Sequence, residues 1–141
     1  LNESNDLIEE KVRFSLEKNK KIVLCVGEPI EVRKSGKANE FVLNQLNSAL
    51  KSVQTLTNIV IAYEPIWSIG TGLVPTKAEV SEMIQAIYEK FSSQILYGGS
   101  VTEQNVSQFK DIENLNGLLV GGASLNFEKF SKIIEILNST R

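Results

Sequence analysis

The sequence predicts an α/β protein built on a parallel sheet, and three observations carry that prediction. Four short apolar runs are free of polar alternation: KIVLCVG (21–27), NIVIAY (58–63), QILYG (94–98) and GLLVG (117–121). Segments of helical period separate them. Each run ends in a polar or glycine-rich tag. Unbroken apolar runs are what strands covered on both faces look like, as in parallel sheets. Alternating helices and strands imply right-handed crossovers. The order α-β-α-β-α-β-α-β-α leaves two closures open, a doubly wound sheet or a (β/α) barrel. A complete eight-stranded barrel takes about 250 residues. On the barrel reading, these 141 residues with four strands make half of one.

The first helix opens at Ser4, a residue suited to capping, and carries Asp6, Glu9 and Glu10 near its start. Acidic residues there complement the helix dipole, as lysines do at the far end. After the first strand, Glu28 and the EVRKSG stretch (31–36) are charged and read as support or rim. Val42, Leu46, Ala49, Leu50 and Val53 then share one helical face. Val80, Met83, Ile84, Ile87 and Phe91 share another, after a capping-box pattern at Thr76 and Glu79. A shorter helix follows Thr102. Phe127, Phe130, Ile134 and Leu137 make a final amphipathic helix. These stripes are expected to pack in the core. No linker divides the chain, so residues 1–141 read as one unit without an internal domain boundary.

Composition bounds the function. The chain is 42% hydrophobic and 23% charged, ordinary for a globular protein. Fifteen basic and seventeen acidic residues are mixed along it, for a net charge of −2. That argues against a nucleic-acid surface. No apolar run has the length of a membrane span, and no signal peptide is visible. A single cysteine excludes an internal disulfide, and a cytoplasmic location is the simplest reading. There is no histidine. That removes imidazole chemistry and the usual zinc sites. A first residue of Leu rather than Met reads as a fragment or a processed chain.

The four tags are Gly27-Glu28-Pro29, Glu64-Pro65, Gly98-Gly99-Ser100 and Gly121-Gly122-Ala123-Ser124. All fall at the carboxyl ends of strands, where α/β proteins bind ligands. The glycine pairs suit an anion, because glycine lets a ligand approach backbone N–H groups. Tight turns would use glycine too. Glu64 is the candidate base: it stands where a buried strand surfaces, and Pro65 stiffens the backbone behind it. A structural ion pair is the competing reading. IGTG (69–72), held between Pro65 and Pro75, suits a lid that moves as one piece. Cys25, inside an apolar run, reads as a small core hydrophobe. Trp67 reads as packing at the base of the lid. Tyr97 reads as core or as a lid contact.

Together these residues resemble the triosephosphate isomerase family. AYEPIWSIGTG resembles its catalytic-glutamate and lid segment. CVGE, YGGSV and GLLVGGASL resemble its fifth, seventh and eighth strand motifs, and NESNDLIEEKV resembles the helix after its fourth strand. The resemblance implies a (β/α)8 TIM barrel, of which this chain would be the C-terminal half, strands 5–8 with their helices. It implies proton transfer by Glu64 between two substrate carbons, through an enediolate. Dihydroxyacetone phosphate and D-glyceraldehyde 3-phosphate would be interconverted, as in glycolysis and gluconeogenesis. Gly70, Ser100, Gly121 and Gly122 would hold the phosphate. Pro65, Ile66 and Trp67 would form the leading hinge, with Ser68, Ile69, Thr71 and Gly72 in the lid. Tyr97 and Ser100 would latch it. No cofactor and no metal are implied, and the full-length protein would be a homodimer.

Two departures accompany the resemblance. The trailing hinge usually reads Lys-Thr-Ala in the family and is Leu73-Val74-Pro75 here. The family's lysine and histidine electrophiles have no counterpart in this chain, so the chain alone is expected to be nearly inactive. A non-catalytic phosphate-binding half-barrel and a purely structural fragment are the alternatives.

Overall fold

The computed structural model describes residues 3–139. Four strands, β1 (Ile22–Val26), β2 (Ile59–Tyr63), β3 (Gln94–Gly99) and β4 (Gly117–Val120), pair in parallel in the order of the chain. Five α-helices accompany them: α1 (Asn5–Glu17), α2 (Ile30–Lys34), α3 (Ala38–Ala49), α4 (Lys77–Phe91) and α5 (Phe127–Asn138). A doubly wound sheet reverses its strand order and gains helices on both faces. A sheet whose order follows the chain, with right-handed crossovers, keeps all its helices on one side. The sequential order therefore selects the barrel type of winding.

That winding corrects one expectation. The strands are apolar on both faces, but only one face is covered. Leu24, Val26, Ile61, Tyr63, Ile95 and Tyr97 are buried against the helices. On the other face Val23 is 51% exposed, Leu119 is exposed, and Val60 and Leu96 are partly covered. Cys25 belongs to this open face and is exposed, not a core residue as expected.

The helices form where their residues dictate. Ser4 Oγ accepts from Leu7 N at the start of α1. At α4, Thr76 and Glu79 bond reciprocally to each other's backbone N–H, the predicted capping box. Val42, Leu46 and Ala49 of α3, and Val80, Met83, Ile84 and Ile87 of α4, are buried as their periods require. The charged 31–36 stretch contributes most of the short helix α2, which the strict alternation missed. The helix expected after Thr102 is a 3₁₀ turn, Val106–Phe109.

The last helix departs from expectation too. Phe127 is 84% exposed, and Phe130 and Ile134 are also exposed. Ile133 is the buried residue, with Ile136 and Leu137 packed beside it. Helix α5 packs on the 3₁₀ turns Val106–Phe109 and Gly122–Leu125. Among the described residues, no helix is long and apolar enough to cross a membrane.

Candidate active site

All four predicted tags lie at or just after the carboxyl ends of their strands, with Gly98 and Gly99 closing β3, and the register of the sheet places them side by side. The ladder continues beyond β1 and β2. Glu64 N donates to Val26 O at 2.7 Å, and Ile66 N donates to Glu28 O at 3.1 Å. Side chains alternate between the faces of a strand. Glu64 continues the parity of Val60 and Ala62, so its carboxylate emerges on the open face.

Two glycines make room for Glu64. A Cβ on Gly98 of β3 would lie 2.5 Å from Glu64 Oε1 and 2.8 Å from its Cγ. A Cβ on Gly27 would lie 1.8 Å from the Glu64 carbonyl oxygen. The carboxylate is thus cradled from β3 and the main chain is held from β1. Beside it is a small cavity of about 150 Å³, lined by Cys25, Val26, Gly27, Gln45, Glu64, Ile66 and Ile69. None of these side chains is cationic. Cys25 is exposed, but its thiol is partly desolvated beside Glu64; that desolvation first, then the charge and hydrogen bonding of Glu64, push it up to about 11. At neutral pH it is a protonated neighbour of Glu64, not a nucleophile.

Glu28 has the opposite surroundings. It continues the parity of Leu24 and Val26, toward the helices, and is fully buried. Its Oε1 accepts from Arg33 Nε at 2.9 Å, from Trp67 Nε1 at 2.9 Å and from Tyr63 Oη at 3.2 Å. Arg33 Nη2 also pairs with it at 2.7 Å and donates to Tyr63 Oη at the same distance. Burial, followed by the Glu28 charge, pushes the Tyr63 phenol well above its ordinary range, so it remains a protonated donor. Sequence reading placed Glu28 and the 31–36 stretch only as support or rim. It missed that Glu28 anchors Trp67, for no local signal joins residues 39 positions apart.

The segment after Glu64 is compact at its base and open at its tip. Pro65 and Ser68 are buried, and Ile66–Ser68 form a 3₁₀ turn. Ser68 Oγ donates to Leu73 O at 2.8 Å, and Thr71 Oγ1 donates to Trp67 O at 2.8 Å. Gly70 and Gly72 take positive φ, 68° and 77°, which closes the tip. Leu73 and Val74 are exposed, while Pro75 is buried immediately before the Thr76 cap. Ser100 ties this segment to the sheet edge, its Oγ donating to Ser68 O at 2.6 Å. Tyr97 stacks against Phe109 at 4.5 Å in the core. Its buried hydroxyl, beside Ser68, has no hydrogen-bond partner among the described residues, and burial pushes it up to about 12.

The glycine pair after β4 sits next to Ser100, because Gly99 registers with Val120. Gly121 and Gly122 are exposed, and a Cβ on either would meet nothing within 4 Å. The chain's own packing gives neither a steric reason to be glycine. Gly70 lies at the exposed tip. Ser68 instead bonds to Ser100 at the sheet edge. Among the described residues, no group of three or more metal-ligating side chains is assembled.

The family model for triosephosphate isomerase matches residues 1–137. The chain belongs to the triosephosphate isomerase family. It is 41% identical to the triosephosphate isomerase of Candida albicans over 138 residues, covering 91% of this chain and 56% of that protein. It is 40% identical to that of Malacoplasma penetrans, covering 96% and 59%. With that of Saccharomyces cerevisiae it shares 39%, covering 97% and 58%. The crystal structure of triosephosphate isomerase from Bartonella henselae superposes with a TM-score of 0.84 at 32% identity, over 96% of this chain and 59% of that one. The chain therefore spans less than two thirds of the length of these triosephosphate isomerases. That agrees with four strands of a partial barrel. The shares measure how much of a barrel is matched, not which strands.

Proposed function

We propose that this chain supplies the base, the lid and the phosphate grip of an enzyme that interconverts dihydroxyacetone phosphate and D-glyceraldehyde 3-phosphate. The observation that carries the reading is the seat of Glu64. Its carboxylate lies over Gly98, on the open sheet face, at the root of a segment tied to Ser100. The family is itself a standard illustration of a glutamate base under a closing lid.

In this reading Glu64 takes a proton from one substrate carbon and returns it to the adjacent carbon. Two stiff neighbours keep the carboxylate in place: Pro65 behind it and the Gly27 peptide beside it. The phosphate is held by the Ser100 hydroxyl and by backbone N–H groups of Gly121 and Gly122, with Gly70 arriving as the lid closes. The unpartnered Tyr97 hydroxyl and Ser100 latch the lid. Pro65, Ile66 and Trp67 form its leading hinge, with Trp67 fixed on Glu28. The Leu73-Val74-Pro75 hinge is stiffened by a buried proline.

The oxyanion that develops during proton transfer needs electrophiles, and that is often the larger contribution to catalysis. The cavity beside Glu64 has no cation, and the chain has no histidine. The order of the motifs supports reading the four strands as the fifth to eighth of a barrel, whose other half brings the electrophiles. The whole protein is then a cytoplasmic homodimer that needs no cofactor.

The test compares three proteins: residues 1–141 alone, the enzyme completed by the rest of a barrel, and the completed enzyme with Glu64→Gln. Turnover is expected only from the completed enzyme, reduced about 10²- to 10⁴-fold by the substitution, as for loss of a general base. Robust turnover by the isolated chain would sink the division of labour. Phosphate binding without turnover, indifferent to Glu64→Gln, would make this a non-catalytic phosphate-binding module.

A further inference from the structure

Glu64 is packed against the Gly27 peptide just after β1, and a side chain from another layer holds that peptide. We propose that Gln45 is a positioning residue for the Glu64 base, acting through Gly27. The inference rests on the reading of Glu64 as the base.

Alternate residues of a parallel strand turn their N–H and C=O groups to opposite edges. Val26 O accepts from Glu64 N, so Val26 faces β2. Gly27 consequently faces away from β2, toward the open edge of the sheet. Gln45 Oε1 accepts its N–H, at 3.0 Å.

The bond falls at the tightest backbone contact among the described glycines. A Cβ at Gly27 would overlap the Glu64 carbonyl at 1.8 Å and lie 2.6 Å from its carbon. The two peptides therefore touch directly, and displacement of one moves the other. Gln45 is mounted on α3, whose Val42, Leu46 and Ala49 are buried in the core. The mount is rigid, since close-packed interiors transmit strain. Gln45 also lines the small cavity into which Glu64 faces, where Cys25 is the other titratable side chain. It thus reaches the base twice, through the Gly27 peptide and across the cavity.

A bond that merely covers an edge donor would influence stability alone. Two substitutions in the active enzyme containing this sequence separate the roles. Gln45→Met preserves length and bulk but cannot accept from Gly27 N. It is expected to lower kcat about 10- to 100-fold with KM little changed, as for a small misplacement of a reacting group. Gln45→Glu retains an acceptor and should keep most of kcat at alkaline pH. Its added negative charge should move the acid limb of the pH–rate profile to higher pH, because like charges disfavour each other in one cavity.

An unchanged kcat in Gln45→Met overturns the proposal, as does a Gln45→Glu enzyme that loses as much kcat as Gln45→Met. If Gln45→Met does not fold, an unshifted acid limb in Gln45→Glu overturns it. A parent enzyme without isomerase activity removes the functional reading and this inference with it. An active parent indifferent to both changes removes this inference alone.

Discussion

Two Glu-Pro corners stand at the same edge of the sheet, Glu28-Pro29 after β1 and Glu64-Pro65 after β2. One carboxylate is fully buried among Arg33, Tyr63 and Trp67. The other opens onto a cavity over Gly98. The difference is one residue. Glu64 directly follows the last residue of its strand, whereas Gly27 intervenes before Glu28. Side chains change face at every position, so the added residue sends Glu28 to the helices and leaves Glu64 on the open face. Equivalent local sequences thus produce a structural anchor and a candidate base.

The corners should fail differently, and the largest effects test that first. Glu64→Gln is expected to remove about 10²- to 10⁴-fold of turnover from the completed enzyme. Its thermal midpoint should barely move. Glu28→Ala leaves the Arg33 guanidinium, only 14% exposed, without its ion-pair partner. It should destabilise by about 3–5 kcal/mol, read by denaturant unfolding. Trp67 fluorescence should shift as the indole loses its acceptor. A Glu28→Ala protein as stable as its parent would break the comparison.

Substitution of the two glycines sharpens it. Gly27→Ala pushes a methyl into a backbone carbonyl that cannot swing aside, and overpacking of about 1–3 kcal/mol or more should appear as lost stability. Gly98→Ala meets the flexible end of Glu64. Its carboxylate should move, so turnover should fall further than stability. Equal losses of stability from both changes would contradict the cradle.

Cys25 reports on the same asymmetry. Its thiol is raised to about 11 by partial desolvation first and then by Glu64. Glu64→Gln removes the negative neighbour, favours the thiolate, and should bring the pKa down. Desolvation should keep it above the ordinary thiol range. The rate of reaction with a disulfide reagent against pH measures this. Glu28→Gln, on the other face, should leave the profile in place.

The smallest effect is local. Thr76→Ala removes the cap of α4 and should cost about 1 kcal/mol. Its partner Glu79 is held below the usual carboxylate range, chiefly by the Thr76 backbone N–H. A lowered folded-state pKa contributes stability above the unfolded value and loses it as pH falls through the folded value. Alanine keeps that backbone N–H and loses only the hydroxyl donor to Glu79. Both proteins should therefore lose stability in acid, and the parent's advantage over Thr76→Ala should shrink only slightly, as shown by thermal midpoints between neutral and acidic pH.

Much of this was legible in residue order. Unbroken apolar runs and helical periods specify strands, helices and their alternation, because local sterics and amphipathicity act within a few residues. The clustering of Glu64, Ser100, Gly121 and Gly122 at one edge follows from parallel pairing, which brings all strand ends to one side. Thr76 and Glu79 announced their cap by spacing alone.

Tertiary structure decided the rest. A strand apolar on both faces reads the same whether one face is covered or two, so the exposure of Cys25, Val23 and Leu119 depended on winding. The stripe of α5 reads as core, but the helix packs on two 3₁₀ turns and Phe127 is exposed. Glu28 meets Trp67, and Gln45 meets Gly27, across 39 and 18 positions of chain. Contacts at such separations are set by how layers stack, and no local spacing encodes them.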